Sequence, residues 1–142
     1  IEGQTPRLLS YSKVILGAPV YVGRYPRSFV AWVRANHTQL NNMTPIFFSV
    51  CLGVLQKEAA VQKSEQAIVD RFLLQTGLKP KLTKIFAGGL PYTQYNWFYK
   101  FILQRIARRS GVETDTSRDY DFTNWNEVRN FAREFVGFES RH

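Results

Sequence analysis

Three short turns carry the residue types from which a ligand site can be built: Ala18 to Arg24, Ser49 to Leu55, and Gly88 to Tyr92. The first holds Tyr21, whose ring could stack on a flat cofactor, and Gly23, which lets a ligand approach the backbone closely. The second offers a small hydroxyl, a soft small side chain and a glycine in Ser49, Cys51 and Gly53, and the third has Gly88 and Gly89. Each turn follows a strand-like run. In open parallel sheets, ligands bind beyond the carboxyl ends of the strands, where loop amides and helix N-termini converge. Glycines also end strands for ordinary turn reasons. Three such turns behind three strands point to one site.

A fourth stretch, Leu90 to Gly111, puts six aromatic residues among the ten from Tyr92 to Phe101 and four cationic side chains from Lys100 to Arg109. It reads as a helix over Tyr95 to Arg109, capped by Ser110 and Gly111. Other constellations are poorer. His37 sits among polar and charged neighbours and His142 is the last residue, so neither reads as a general base. Cys51 has no histidine near it in sequence and reads as a small hydrophobe. Glu113, Asp115, Asp119 and Asp121 read as a solvated turn and not as a metal site. No zinc spacing, P-loop or Ser-His-Asp arrangement is present, and no catalytic residue is assigned.

The elements that must position the turns follow from periodicity. "KVILGAPVY", Lys13 to Tyr21, is a β-branched apolar run that reads as a strand buried on both faces, closed by Gly17, Pro19 and Gly23. "RSFVAWVRANHTQL" places Phe29, Val30, Val33 and Leu40 at helical spacing, with Ser28 as N-cap and Asn41, Asn42 and Pro45 as breakers. "PIFFSVCLG" is a second continuous apolar strand, and Val54 to Ser64 reads as a loop. Glu65 to Thr76 reads as a helix with Ile68, Phe72 and Leu73 on one side, stopped by Gly77. "KLTKIFAGGL" repeats the strand pattern. A short strand over Asp119 to Phe122 and a last helix complete the chain. Thr123 or Asn124 caps that helix, Glu127 sits near its third position, and it buries Val128, Phe131, Phe135 and Val136. This alternation predicts an α/β fold: a parallel sheet with helices on both faces and right-handed crossovers.

At 142 residues the chain is one domain by size. The uncharged run Pro45 to Leu55 is about half the ~20 residues a membrane-spanning helix needs. One cysteine allows no internal disulfide, which fits a reducing cytoplasm. No signal peptide is visible, and the chain opens with Ile1. The net charge of +8 is unevenly spread: residues 1–109 hold 15 Lys or Arg against 4 Asp or Glu, and residues 110–142 hold 4 against 7. Such a field attracts anions, whether phosphates, carboxylated small molecules, nucleic acid or acidic headgroups.

The stretches "VILGAPVYVGRYPRSF", "FFSVCLG", "FAGGLPYTQYNWF" and "SGVETDTSRDYDFTNWNEVRNFARE" together resemble the flavodoxin-like menaquinone-dependent protoporphyrinogen oxidases. The most specific part is the A-G-x-L-x-Y-x-x-Y-x-W pattern from Ala87 to Trp97, then G-x-E-T-D-T from Gly111 and T-x-W from Thr123. The resemblance implies a three-layer flavodoxin-like fold over residues 1–142, with a helical insertion at about 92–118 after the last main strand. It implies FMN as cofactor, faced by Ala18, Pro19, Val20, Tyr21, Val22 and Gly23 in one loop and by Ser49, Val50, Cys51, Leu52 and Gly53 in the next. It implies oxidation of protoporphyrinogen IX in haem biosynthesis, with electrons passed to menaquinone or another quinone. The implied site is cytoplasmic, on the inner face of the cell membrane. In the insertion, Tyr92, Tyr95, Trp97, Phe98 and Phe101 with Lys100, Arg105, Arg108 and Arg109 would contact the carboxylated macrocycle or an acidic membrane surface.

The chain departs from the family's pattern at Pro19, Tyr21 and Val22, where Ser, Arg and Tyr are usual, and at Cys51, where Asn is usual. It begins near the end of the family's second strand, so the family's first strand and its Thr/Ser/Gly-rich phosphate loop fall outside these 142 residues, and weak flavin binding is expected of them alone. Two alternatives stay open at this point. One is another flavodoxin-like FMN quinone reductase or electron carrier, and the other is a non-catalytic basic and aromatic module that binds lipid or nucleic acid. No specific nucleic-acid partner and no metal are expected.

Overall fold

The computed structural model describes residues 11–51, 59–90 and 119–138, together with the single positions 108 and 117. Lys13–Pro19 (β1), Thr44–Val50 (β2) and Leu82–Phe86 (β3) pair in parallel in the order β1-β2-β3. The register sets Pro19 opposite Val50 and Val50 opposite Phe86, so the three strands finish level with one another. That alignment is what places the turns side by side.

Arg27–Asn42 (α1) and Ala59–Thr76 (α2) cover one face of the sheet, and Trp125–Gly137 (α3) covers the other. The division is visible at two adjacent residues of β2, because successive strand side chains point to opposite faces. Phe47 is fully buried and stacks with Phe29 of α1 and Phe72 of α2, whereas Phe48 packs edge-on against Phe131 of α3 and tilted against Phe86. The expected α/β layering with helices on both faces is therefore present. Two further two-residue strands, Gly89–Leu90 (β4) and Tyr120–Asp121 (β5), pair antiparallel. They flank residues 91–119 in sequence, so the start and end of the expected insertion meet at one ladder.

Several local expectations change. β1 stops at Pro19 and is buried on one face only: Leu16 and Ala18 are buried, while Ile15 is 42% exposed. The reason is that α3 packs over Ile46 and Phe48 of β2 and Leu82 and Phe86 of β3, and meets β1 at Lys13, whose ammonium donates to the Val136 carbonyl at 3.0 Å, away from Ile15. The first helix starts at Arg27 with Pro26 at the N-cap and no side-chain cap, so Ser28 lies inside the helix. Pro26 suits that place because it has no N–H to satisfy and its φ is pre-set. The second helix begins at Ala59, in a segment expected to be loop, since Ala59 and Ala60 are strong helix formers. Its buried residues are Val69, Phe72 and Thr76, with Ile68 and Leu73 half-buried. In α3, Phe131 is buried and Val128 and Phe135 pack beside it, but Val136 is 74% exposed because it lies about 100° around the helix from Phe135.

The helix ends were better foreseen. Gly77 ends α2 with φ 73° and its N–H donates to the Leu73 carbonyl at 2.9 Å. Asn41, at the end of α1, donates to the Gly77 carbonyl at 2.9 Å and accepts from the Lys79 N–H at 2.8 Å, tying the two helix ends together. Asn124 caps α3, accepting from Asn126 N–H at 3.2 Å and Glu127 N–H at 3.4 Å.

Candidate functional site

The turns after β1, β2 and β3 begin in contact. Val20 N–H donates to the Val50 carbonyl at 2.9 Å, and Cys51 N–H donates to the Phe86 carbonyl at 2.9 Å, each bond carrying the ladder one residue past its strand. Further on, Phe122 N–H donates to the Gly88 carbonyl at 3.4 Å, which brings the chain leaving β5 to the third turn. A Cβ at the buried Gly88 would stand 2.5 Å from Cγ1 of Val50, so only glycine permits this close passage of the third turn over β2.

The first turn is a tight reversal. Tyr21 N–H donates to the Arg24 carbonyl at 2.8 Å and Arg24 N–H returns the bond at 3.2 Å, with Val22 at φ 49° and Gly23 at φ 72° between them. Positive φ at both central residues is the pattern of a type I′ turn, which favours Asn-Gly over Val-Gly. A β-branched residue in the left-handed region is strained by about 1–3 kcal/mol. The tip faces open space: Tyr21 is 60% exposed, Val22 is 93% exposed, and a Cβ on Gly23 would meet nothing within 4 Å.

Beneath the tip, Tyr25 fixes the turn to the second strand. Its hydroxyl donates to Oγ of the fully buried Ser49 at 2.9 Å, and its ring packs among Phe29, Phe47 and Phe72. Burial pushes the phenol up to about 12; the Ser49 hydrogen bond acts in the opposite direction, and Cys51 and Glu65 add smaller upward pushes. The ring is thus held neutral. Sequence reasoning overlooked Tyr25, although an apolar residue directly before a helix start is a recognisable signal.

The expected site residues divide accordingly. Ala18 and Val20 direct their side chains into the helix-covered core, and Ser49 is buried under Tyr25, so these three shape the floor. Pro19, Tyr21, Val22 and Gly23 are exposed, and Val50 and Cys51 are half-buried. Arg108 is an exposed helical residue. Leu52 and Gly53, and with them Tyr92, Tyr95, Trp97, Phe98, Lys100, Phe101, Arg105 and Arg109, lie outside the described residues. Among the described residues no cluster of His, Cys, Asp or Glu could hold a metal ion. Asp121, read from the sequence as part of a solvated turn, is exposed and accepts from the Thr123 N–H and from the Trp125 indole N–H, both at 2.9 Å. The bonds from Thr123 and then Trp125 hold its carboxyl below the usual value.

The arrangement sets an outward aromatic at one turn beside a close-packed glycine at another, over strand ends that finish level. A family model described as a flavodoxin domain matches residues 1–117. The protoporphyrinogen IX dehydrogenase (quinone) of Escherichia coli strain K12 is 34% identical over 133 residues, covering 94% of this chain and 73% of that protein. The protein of the same name from Leishmania major is 35% identical over 137 residues, covering 95% of this chain and 58% of that protein. No solved structure matches the chain. With level strand ends, helices on both faces and these relatives, the chain belongs to the flavodoxin-domain family of protoporphyrinogen IX dehydrogenases.

Proposed function

We propose that this protein is an oxidoreductase that uses FMN to convert protoporphyrinogen IX to protoporphyrin IX and passes the electrons to a quinone. The observation that carries the reading is 34% identity to enzymes of that name across 94% of the chain. The convergent turns supply a place for the chemistry. The exposed Tyr21 ring and the open side of Gly23 suit the flat ring of a flavin. Bound there, FMN would supply the redox chemistry two electrons at a time, three rounds and three quinones accounting for the six electrons and six protons removed, and the protein supplies orientation and electrostatics.

The chain's own contributions are of three kinds. Tyr21 offers a stacking face, with Val22 beside it as an apolar contact. Tyr25 and Ser49 tie the turn after β1 to the end of β2. The net charge of +8 draws in a substrate that carries two propionates and favours an anionic reduced cofactor. Among the described residues no helix is long and apolar enough to cross a membrane. For surface contact with a membrane holding a lipid-dissolved quinone, menaquinone included, the aromatic and cationic stretch from Tyr92 to Arg109 has the composition. A non-catalytic lipid- or nucleic-acid-binding module is not favoured by this kinship.

The experiment is reconstitution with FMN followed by two assays. Porphyrin should form from protoporphyrinogen IX at a rate that depends on added quinone. The protein should also sediment with vesicles containing anionic lipid and stay in solution with neutral ones. Bound flavin without quinone-linked porphyrin formation would remove the assignment.

A further inference from the structure

Between α1 and α2 runs an open groove of about 500 Å³, within the range of small-molecule sites. Among the described residues its cations are arginines: Arg24 before α1, Arg27 and Arg34 on α1, and Arg71 on α2. Arg27, Val30 and Arg34 recur at helical spacing on one face of α1, and Ile68, Arg71 and Phe72 do so on the facing side of α2. The lining therefore alternates guanidinium groups with apolar surface. Among the described residues no carboxylate lines it.

Four like charges around one groove repel each other, and structural arginines between helices normally bridge to acids. An ion pair does form elsewhere, between Lys84 and Glu127 at 3.3 Å. All four arginines are exposed, and α1 carries no acidic residue at all. The groove is also continuous with the candidate site, since Gly23 and Arg24 belong both to the strained first turn and to the groove wall.

We infer that this groove receives the carboxylate arms of the tetrapyrrole substrate, with the guanidinium forks pairing the propionates and the Val30, Ala31 and Ile68 surface lying against the macrocycle. The inference rests on the proposed function and adds to it a set of substrate-positioning residues distinct from the 92–109 stretch. Arginine is the appropriate cation, because its planar fork meets a carboxylate through two parallel hydrogen bonds. The apolar stripe matters equally. A phosphate-only ligand would gain nothing from Val30, Ala31 or Ile68, whereas a macrocycle with acidic arms uses both parts.

The test compares the parent protein with Arg27→Gln, Arg34→Gln and Arg71→Gln, singly and as the Arg27→Gln/Arg71→Gln pair, with Lys63→Gln as a control for bulk charge. Protoporphyrin IX and its dimethyl ester are titrated and followed by porphyrin fluorescence, and KM and kcat for protoporphyrinogen IX are measured on the FMN-loaded protein. The diacid should bind the parent about tenfold or more tightly than the pair variant. The diester should bind weakly to every protein. KM should rise by a similar factor in the pair variant with kcat held, and Lys63→Gln should behave as the parent. Unchanged diacid affinity and KM in the pair variant, in a parent that does oxidise the substrate, overturns the groove assignment and leaves the enzyme reading intact. A parent that binds flavin and oxidises no porphyrinogen overturns both.

Discussion

The Tyr25 hydroxyl donates a hydrogen bond to Oγ of Ser49 at 2.9 Å, and through it the turn after β1 is fastened to the end of β2 inside the core. Tyr25→Phe keeps the ring among Phe29, Phe47 and Phe72 but leaves the buried Ser49 hydroxyl without this partner. The variant should lose about 1–2 kcal/mol of stability in a denaturant titration. The double variant Tyr25→Phe/Ser49→Ala should recover part of that loss, because both polar groups are then gone.

The same phenol sets an alkaline limit. Burial raises its value in the fold to about 12, while in the unfolded chain it titrates near ~10. The neutral form is the one the fold favours, so this contribution is fully present below pH ~10 and is lost as pH rises toward 12. Stability of the parent should fall across that window more steeply than that of Tyr25→Phe, as followed by thermal melts at fixed ionic strength. Identical slopes would show that the phenol is not desolvated.

Asp121 gives the opposite sign. Its carboxyl lies below its ordinary value because it accepts from Thr123 and Trp125, so its contribution is present above pH ~4 and disappears as the pH falls below that. Asp121→Asn should flatten the acid side of the stability profile. Protection from hydrogen exchange at the β4–β5 ladder should drop in the variant, since Asp121 is one of the ladder's four residues. Equal protection in both proteins would assign the ladder's order to other contacts.

Val22 is strained without any described contact to offset it. Val22→Asn puts a residue suited to the left-handed region at that position and should raise the stability of the flavin-free protein by about 1 kcal/mol. If valine is kept for its contact with the cofactor, FMN affinity should fall in the same variant. A variant that loses stability would mean that the backbone is not held at positive φ in solution.

Gly17 lies directly across from Phe48 in the register, and a Cβ there would meet the Phe48 ring at 2.1 Å. That ring is also held by Phe86 and Phe131, so it has little room to yield. Gly17→Ala should cost about 1–3 kcal/mol, read from the shift in urea midpoint. Enlarging the neighbour's space with Gly17→Ala/Phe48→Leu should restore much of it.

The layered sheet was legible because β2 and the helices carry undisguised periodicity: an unbroken apolar run in one, and Phe29, Val33 and Leu40 at helical spacing in the other. The glycine turns were legible too, since strands ending in the same frame bring their turns together. What escaped was information carried by partners distant in sequence. Nothing local tells Ile15 that α3 will pack its apolar side on β2 and β3, or tells Tyr25 that Ser49 will stand 2.9 Å from its hydroxyl. The arginine groove was equally hidden. Its cations come from a turn and two helices, and only the helix pairing gathers them.

The most direct measurement is quinone-dependent porphyrin formation by the FMN-loaded protein under anaerobic conditions, followed by the rise of protoporphyrin fluorescence. With flavin seated at the turns of Tyr21 and Cys51, the rise should require protein, flavin and quinone together, and a Tyr21→Ala variant should show weaker flavin binding. Porphyrin appearing no faster than in a mixture of free FMN and quinone, while the protein demonstrably holds flavin, would contradict the assignment.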